Sequence, residues 1–477
     1  LNPPNSVWHC QELSFILQIK QKSMARIQYY STNLKSEKVS FREALIRGQA
    51  PDRGLYMPDQ IPVLTPDQIE SFAGKSYPEI AEIILKLYVN DDISQDDLSR
   101  LVRDAYNFEI PLENVYDRIH VMRLDRGPTA SFKDFAARMM GRLMQYFLKL
   151  ENRRMLILTA TSGDTGSAIA NAFYGLDNIE VVILFPEKEV TDRQRKQMTT
   201  LNQNITVLAI DGKFDDCQAL VKRAFADEDL SFLPLSSANS INIGRLIPQS
   251  IYYFWAWSQL ANNIDDKIIF SVPSGNFGNL MGGIIARHMG LPVERFVVST
   301  NENDEVPVYF AKGSYQPLIP SRNCISSAMN VGHPSNMARI VALYGGIMDE
   351  KGNISKQPDI DRLKKDLWPV SITDSQTRET IKNAYEKYRL LLEPHGAVAW
   401  AGLHRFFEAH PELYTPFQLC VTLETAHPAK FPQEIEHILG IQPDLPESMS
   451  HLDEKIEHMI PMSNRYEDFK NYLLKRK

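Results

Sequence analysis

Several polar segments of this chain carry residue types at spacings that chemistry uses. Gly127-Pro128-Thr129-Ala130-Ser131-Phe132-Lys133-Asp134-Phe135 places a lysine just behind a stiff Gly-Pro turn, where the segment AARMMGRLMQYFLKL begins. A lysine in a partly apolar pocket gives up its proton more readily and condenses with an aldehyde. Lys133, flanked by Phe132 and Phe135, is the candidate; the plainer reading is a solvated lysine at a helix start. Pro273-Ser274-Gly275-Asn276-Phe277-Gly278-Asn279 lies between the apolar run KIIFSV and the segment LMGGIIARHM. Glycines let a backbone approach a ligand closely, and amides at a helix N-terminus point at an anion. That suits a phosphate, with a tight strand-to-helix turn as the alternative.

A third segment, Thr159-Ala160-Thr161-Ser162-Gly163-Asp164-Thr165-Gly166-Ser167-Ala168, crowds hydroxyls and amides at another strand-to-helix junction. A helix cap by Ser162 or Asp164 uses only one of these groups, so the surplus favours a bound carboxylate or phosphate. Asn239-Ser240-Ile241-Asn242-Ile243-Gly244-Arg245 offers a guanidinium for a forked grip on a second anion, unless Arg245 is an ordinary surface arginine. Thr422 and Thr425 end the run FQLCVTLET, where α/β folds place their ligands. His427, two residues on, reads as a structural histidine rather than a catalytic one.

These segments need strands and helices to position them. Beyond residue 150, short β-branched runs alternate with helical stretches: MLILTA (155–160), VVILFP (181–186), ITVLAI (205–210), KIIFSV (267–272), RFVVSTN (295–301) and FQLCVTLET (417–425). Such alternation predicts an α/β fold of mostly parallel sheets covered on both faces. The runs exceed what one small sheet uses, so two α/β domains with the active site between them are expected. Upstream, Ser40 to Pro58 reads as a helix with a glycine exit, and Pro78–Leu87 and Ser94–Tyr106 as amphipathic helices.

Composition narrows the function. The chain has 477 residues, 43% hydrophobic and 23% charged, with a net charge of −7. That balance fits a folded multi-domain protein and argues against a nucleic-acid surface, which needs a basic footprint. The apolar runs are strand-sized, so no membrane span is expected. Cys10, Cys217, Cys324 and Cys420 are scattered, which argues against a metal site or a disulfide framework and for reduced cytoplasmic thiols. Met24-Ala25 reads as a natural start, leaving residues 1–23 as an N-terminal extension.

Taken in order from about Tyr29 to Phe431, GPTxxFKDF, ATSGDTGSA, NSIN followed by Arg, PSGNFGN, TNENDxVP, PSNxxR and TAHPAKF resemble the signatures of the threonine synthase family. YYST and APDxGLYMP resemble its opening. That family belongs to the fold type II, tryptophan-synthase-β-like class of pyridoxal-phosphate enzymes. The resemblance implies two α/β domains with the cofactor, pyridoxal 5′-phosphate, in the cleft between them. It implies an N-terminal subdomain at 24–100, a large domain at 101–150 and 246–445, a small domain at 151–245, and a helical tail at 446–477. The implied reaction turns O-phospho-L-homoserine and water into L-threonine and phosphate by γ-elimination and β-addition, in a monomer or homodimer.

Carried over position by position, the resemblance makes Lys133 the catalytic, cofactor-binding lysine. Gly275, Asn276, Phe277, Gly278 and Asn279 would hold the cofactor's phosphate, Thr425 its ring nitrogen, and Asp164 the region of its ring oxygen. Thr161, Ser162 and Thr165 would bind substrate, the last two at its carboxylate. Ser240, Asn242 and Arg245 are candidates for the substrate phosphate. The chain departs from the family pattern at Arg126 (usually His), Asn33 (usually Arg), Asn330 (often Asp) and Ile243-Gly244 (commonly Trp-Ala). These touch substrate contacts rather than cofactor chemistry. Two alternatives share the same motifs: a phospholyase releasing 2-oxobutyrate, and a scaffold protein that binds the cofactor without catalysis.

Overall fold

The apolar runs beyond residue 150 assemble into two separate sheets. The computed structural model describes residues 26–89, 92–161 and 163–476; the expected extension at 1–23 and Ser162 lie outside them. The larger sheet has six strands in the order Leu367–Ser371, Val293–Thr300, Ile268–Pro273, Leu419–Glu424, Ile119–Arg123 and Leu112–Tyr116. All neighbours are parallel except the last pair, a hairpin turning at Asp117. The smaller sheet is parallel throughout, in the order Ile460–Ser463, Ile205–Asp211, Ile179–Pro186, Met155–Ala160 and Leu235–Ser236. Met155–Ala160, Ile268–Pro273 and Leu419–Glu424 are buried at every position. This is why their sequences run continuously apolar instead of alternating.

The tail differs from the helical reading. Ile460–Ser463 adds a parallel edge strand beside Ile205–Asp211, and the helix Tyr466–Leu474 follows it. Pro461 is tolerated because the strand lies at an edge. Phe469 and Leu473 are fully buried in the core of the small sheet, worth about 1.5–3 kcal/mol each. Four residues, two exposed and two part-buried, carry too little alternation to be seen as a strand in the sequence.

At the other end, Ser40 and Glu43 form a capping box for Phe41–Arg47, which exits at Gly48 with φ +76°. The helices Tyr77–Val89 and Gln95–Ala105 bury one face each. Tyr77 and Tyr106 reach the ring of Phe135, with centroids at 5.6 and 6.3 Å, and Phe108 and Tyr252 close around it at 5.1 and 5.5 Å. This aromatic knot pins the first turn of the helix Lys133–Leu150 and therefore fixes where Lys133 begins. The loops after Met155–Ala160, Ile268–Pro273 and Leu419–Glu424 all leave the C-terminal strand ends, the side on which parallel sheets bind ligands.

Candidate active site

Lys133 is the first residue of its helix, and the strand Leu419–Glu424 positions it from behind. Phe132 N donates to Thr425 O at 2.9 Å, His427 N donates to Ala130 O at 3.1 Å, and Ser131 bridges Ala426. The lysine turn and the end of that strand are thus one unit. The Asp134 carboxylate closes the turn, accepting from Thr129 N at 2.8 Å and Thr129 Oγ1 at 2.6 Å. A Cβ on Gly127 would stand 2.4 Å from Asp134 Oδ2, so this tight return requires glycine.

The Lys133 side chain is 12% exposed, and its Nζ lies 3.5 Å from Asp164 Oδ2. Burial holds the amine below the ordinary lysine range; Asp164 opposes that shift, and Lys430 and Arg245 add to it. Asp164 heads the helix Asp164–Phe173 and accepts from Gln194 Nε2 at 2.9 Å. Burial pushes its carboxyl up, but Lys430, Lys133 and the Gln194 bond outweigh burial and hold it below the usual carboxylate range.

The second loop has the form of an anion cradle. Ser274 N donates to Ser299 O at 2.8 Å, and a Cβ on Gly275 would meet Met329 Cα at 2.9 Å and Ala328 O at 3.0 Å. Phe277 adopts a left-handed backbone, φ +61°, which turns the chain into the helix Gly278–His288. Among the described residues no side chain caps that helix, so its first amides are left for a ligand. The Asn279 Oδ1 accepts from Tyr252 and Tyr253 hydroxyls at 2.6 and 2.8 Å, and its buried Nδ2 has no partner among the described residues. A Cβ on Gly278 would touch nothing nearer than Asn336 Nδ2 at 3.6 Å and Ser240 Cβ at 3.7 Å, which brings the Ser240 loop up to the cradle. Asn276 keeps its side chain exposed, and its carbonyl accepts from Asn336 Nδ2 at 2.9 Å. An amine ready to condense, a donor-lined helix start and an orphaned buried amide fit a phosphorylated aldehyde.

Thr425 is buried beside the lysine turn, and its Oγ1 lies 3.5 Å from Glu393 Oε1. Arg245 is 3% exposed, donates from NH1 to Ala238 O at 2.8 Å, and has an unpartnered Nε. Among the described residues it makes no ion pair, and burial pushes its guanidinium down to about 10. The Asp134 carboxylate, itself bound to Thr129, opposes that shift without outweighing burial, and a buried cation so weakly balanced is costly.

Comparison with known proteins settles the family. The N-terminal threonine synthase model matches residues 28–106, the model of pyridoxal-phosphate-dependent enzymes matches 109–412, and the C-terminal threonine synthase model matches 397–473. The threonine synthase of Haemophilus influenzae is 40% identical over 94% of this chain and 99% of its own length. That of Escherichia coli is 38% identical over 89% and 94%. The PLP-bound threonine synthase structure from Brucella melitensis superposes with a TM-score of 0.86 at 34% identity, covering 94% of this chain and 98% of that one. The yeast threonine synthase structure gives 0.86 at 30%, covering 95% and 100%.

The chain belongs to the threonine synthase family.

As a threonine synthase family member it is a pyridoxal-phosphate-dependent lyase of fold type II. Two of the residues expected at the substrate hold their own loops in this structure. Thr161 Oγ1 accepts from Gly163 N at 3.0 Å and Gly166 N at 2.7 Å and donates to Gly163 O at 3.2 Å. Asn242 Nδ2 donates to Leu45 O and Ser237 O, both at 2.9 Å, while its Oδ1 accepts from Gly244 N at 2.9 Å. Both side chains are buried and spent on shaping their loops. Thr165 and Ser240 are half-buried in the same loops.

The departures from the threonine synthase pattern have local partners. Arg126 faces Asp125 at 3.7 Å, Asn33 Nδ2 donates to Asp52 O at 2.9 Å, and Asn330 Oδ1 accepts from Cys324 N at 3.1 Å. His427 is structural as read: Nδ1 accepts from Ala429 N at 3.1 Å, and burial with nearby Arg123 pushes the ring down to about 3. Sequence reasoning gave no role to Lys430, fully buried against Asp164, or to Arg339, which clamps Ser240 O at 3.0 Å and Ile241 O at 2.6 Å. Each stood inside a quoted motif, and a cation amid apolar neighbours was the available signal. Gln194, on a strongly polar surface-like helix, gave none.

Proposed function

We propose that the chain converts O-phospho-L-homoserine and water into L-threonine and phosphate, as a cytoplasmic enzyme working as a monomer or homodimer. The observation that carries the substrate is Arg245, a buried guanidinium near Lys133 that among the described residues makes no ion pair and feels the Asp134 charge only at a distance. An incoming phosphate removes the cost of that lone cation and offers oxygens for its forked donors. Ser240, presented by the Arg339 clamp, adds a hydroxyl on the same loop.

Pyridoxal phosphate, bound there, supplies an electron sink for negative charge developing on carbon beside the substrate amine. Lys133 would hold it, with Gly275 to Asn279 around its phosphate, Thr425 at the ring nitrogen and Asp164 near the ring oxygen. Lys133, its amine inclined to be neutral, takes the α-proton and later returns one to the same carbon. Arg245 offsets the charge on the phosphate oxygen as its bond to the γ-carbon breaks. Ser162 and Thr165 would orient the carboxylate. A β-proton leaves as the phosphate departs and a proton is returned to the γ-carbon; water then adds at the β-carbon, so the cleft must keep it out until that point.

The test is to incubate the cofactor-loaded protein with O-phospho-L-homoserine and measure threonine, 2-oxobutyrate and phosphate together. Threonine equal to phosphate supports the proposal. Phosphate matched by 2-oxobutyrate would leave the phospholyase reading, and no phosphate release would refute the substrate.

A further inference from the structure

We propose that Lys430 is a positioning residue for Lys133: by occupying the carboxylate that both lysines face, it leaves Lys133 as the amine that gives up its proton. The proposal rests on the reading of Lys133 as the cofactor lysine. Lys430 ends the short turn Pro428–Lys430 behind the strand Leu419–Glu424, and its side chain is 0% exposed. Its Nζ lies 3.0 Å from Asp164 Oδ1, whereas Lys133 Nζ lies 3.5 Å from Oδ2. One carboxylate does not balance two ammonium groups in a buried place, and Lys430 makes the shorter contact with it.

The two lysines also differ in freedom. The backbone of Lys430 is locked, since its N donates to His427 O at 3.0 Å while His427 Nδ1 accepts from Ala429 N at 3.1 Å. Lys133 retains exposure toward the cleft. The groups facing this pair come from every neighbouring element: Asp164 with Gln194 against it, Arg245 from Ile243–Leu246, His395 near Asp164, and Asp134 and His427 near Lys430. Of the charges acting on Lys133, Asp164 favours the ammonium, while Lys430 and Arg245 disfavour it. Without Lys430, Asp164 becomes the undivided counter-ion of Lys133 and holds it protonated, the wrong state for condensing with an aldehyde or taking a proton.

The experiment uses the full chain freed of cofactor, pulsed with acetic anhydride across a pH series, with acetylation of Lys133 read by peptide mass spectrometry. Lys430→Met and Lys430→Gln should move the Lys133 midpoint upward by about one to three pH units. One pH unit below the wild-type midpoint, that is about a tenfold or greater drop in labelling rate. Lys430→Arg should restore the wild-type midpoint. An unchanged or lowered midpoint in a folded uncharged variant overturns the proposal. Failure of all three variants to fold also overturns it, by making Lys430 a structural ion pair. Borohydride reduction of the cofactor-loaded wild type separately identifies the cofactor lysine. A tag on a residue other than Lys133 removes the underlying reading and this inference with it; a tag on Lys133 with no midpoint shift removes the inference alone.

Discussion

Replacing Arg245 with methionine should damage substrate binding and spare the resting protein, a combination that few site residues would give. The guanidinium is buried and donates to one carbonyl, Ala238 O at 2.8 Å. Among the described residues no carboxylate pairs with it, and burial pushes it down to about 10. In the free protein, methionine removes a buried charge that Asp134 offsets only in part, and leaves one carbonyl unpaired. The lost hydrogen bond costs about 1 kcal/mol, and relief from charge burial is of similar or larger size. Stability should therefore be unchanged or higher. In the complex, removing the cation opposite a buried phosphate costs about 2–5 kcal/mol. At 1.36 kcal/mol per factor of ten, that is about 30- to 5,000-fold in substrate affinity. The assay titrates O-phospho-L-homoserine into the loaded variant and follows the change in cofactor absorbance. Cofactor affinity and thermal midpoint are measured in parallel. Equal losses of cofactor and substrate affinity would move Arg245 off the substrate phosphate. A clear fall in thermal midpoint would show that its charge is already compensated in the free protein.

Lys133→Ala should eliminate the visible band of covalently bound cofactor and lower turnover by about 10³-fold or more; spectra and product release check this, and survival of both refutes the assignment. Glu305 makes a pH prediction. Its carboxyl is buried, Oε2 has no partner among the described residues, and burial raises it to about 8. A carboxyl whose folded value lies above its unfolded one stabilises the fold fully below the unfolded value, near 4.5, and loses that contribution as pH rises toward 8. Glu305→Gln should thus match wild type in thermal midpoint near pH 4.5 and exceed it near pH 8.5, and a constant difference across that range would show that Glu305 titrates normally.

The site was legible where local backbone rules and chemistry coincide. Gly127-Pro128, Gly275 and Phe277-Gly278 announce turns that few residues permit, and each carries a chemically marked neighbour: Lys133, then Asn276, then Asn279. The strands were legible because doubly covered parallel strands are apolar throughout; Ile460–Ser463 was not, because an edge strand of four residues has no buried face to print. Hydroxyl-rich loops do not by themselves say which of their groups face a ligand. Thr161 and Asn242 have the chemistry of ligand contacts, but a loop that holds an anion must first be held itself, and these side chains do that holding. Sequence gives the stock of polar groups in a loop; only three-dimensional partners divide it between scaffold and ligand.

The same division explains the charge of the cleft. The chain carries a net −7, yet among the described residues Arg245 and Arg339 are buried without an ion pair, Arg245 feeling Asp134 only at a distance, and Lys133 and Lys430 share the carboxylate of Asp164. Arg339 spends its donors on carbonyls, including Tyr56 O and Ser240 O, so it shapes the loop while leaving its charge unopposed. Such an excess of buried positive charge destabilises an empty site and favours one filled by anions. A phosphorylated cofactor and a phosphorylated amino acid together supply that negative charge, whereas an unphosphorylated amino acid leaves Arg245 with only the more distant Asp134 to oppose it. The unpaired cation at Arg245 therefore argues for a phosphorylated substrate on grounds separate from the motif that first drew attention to it.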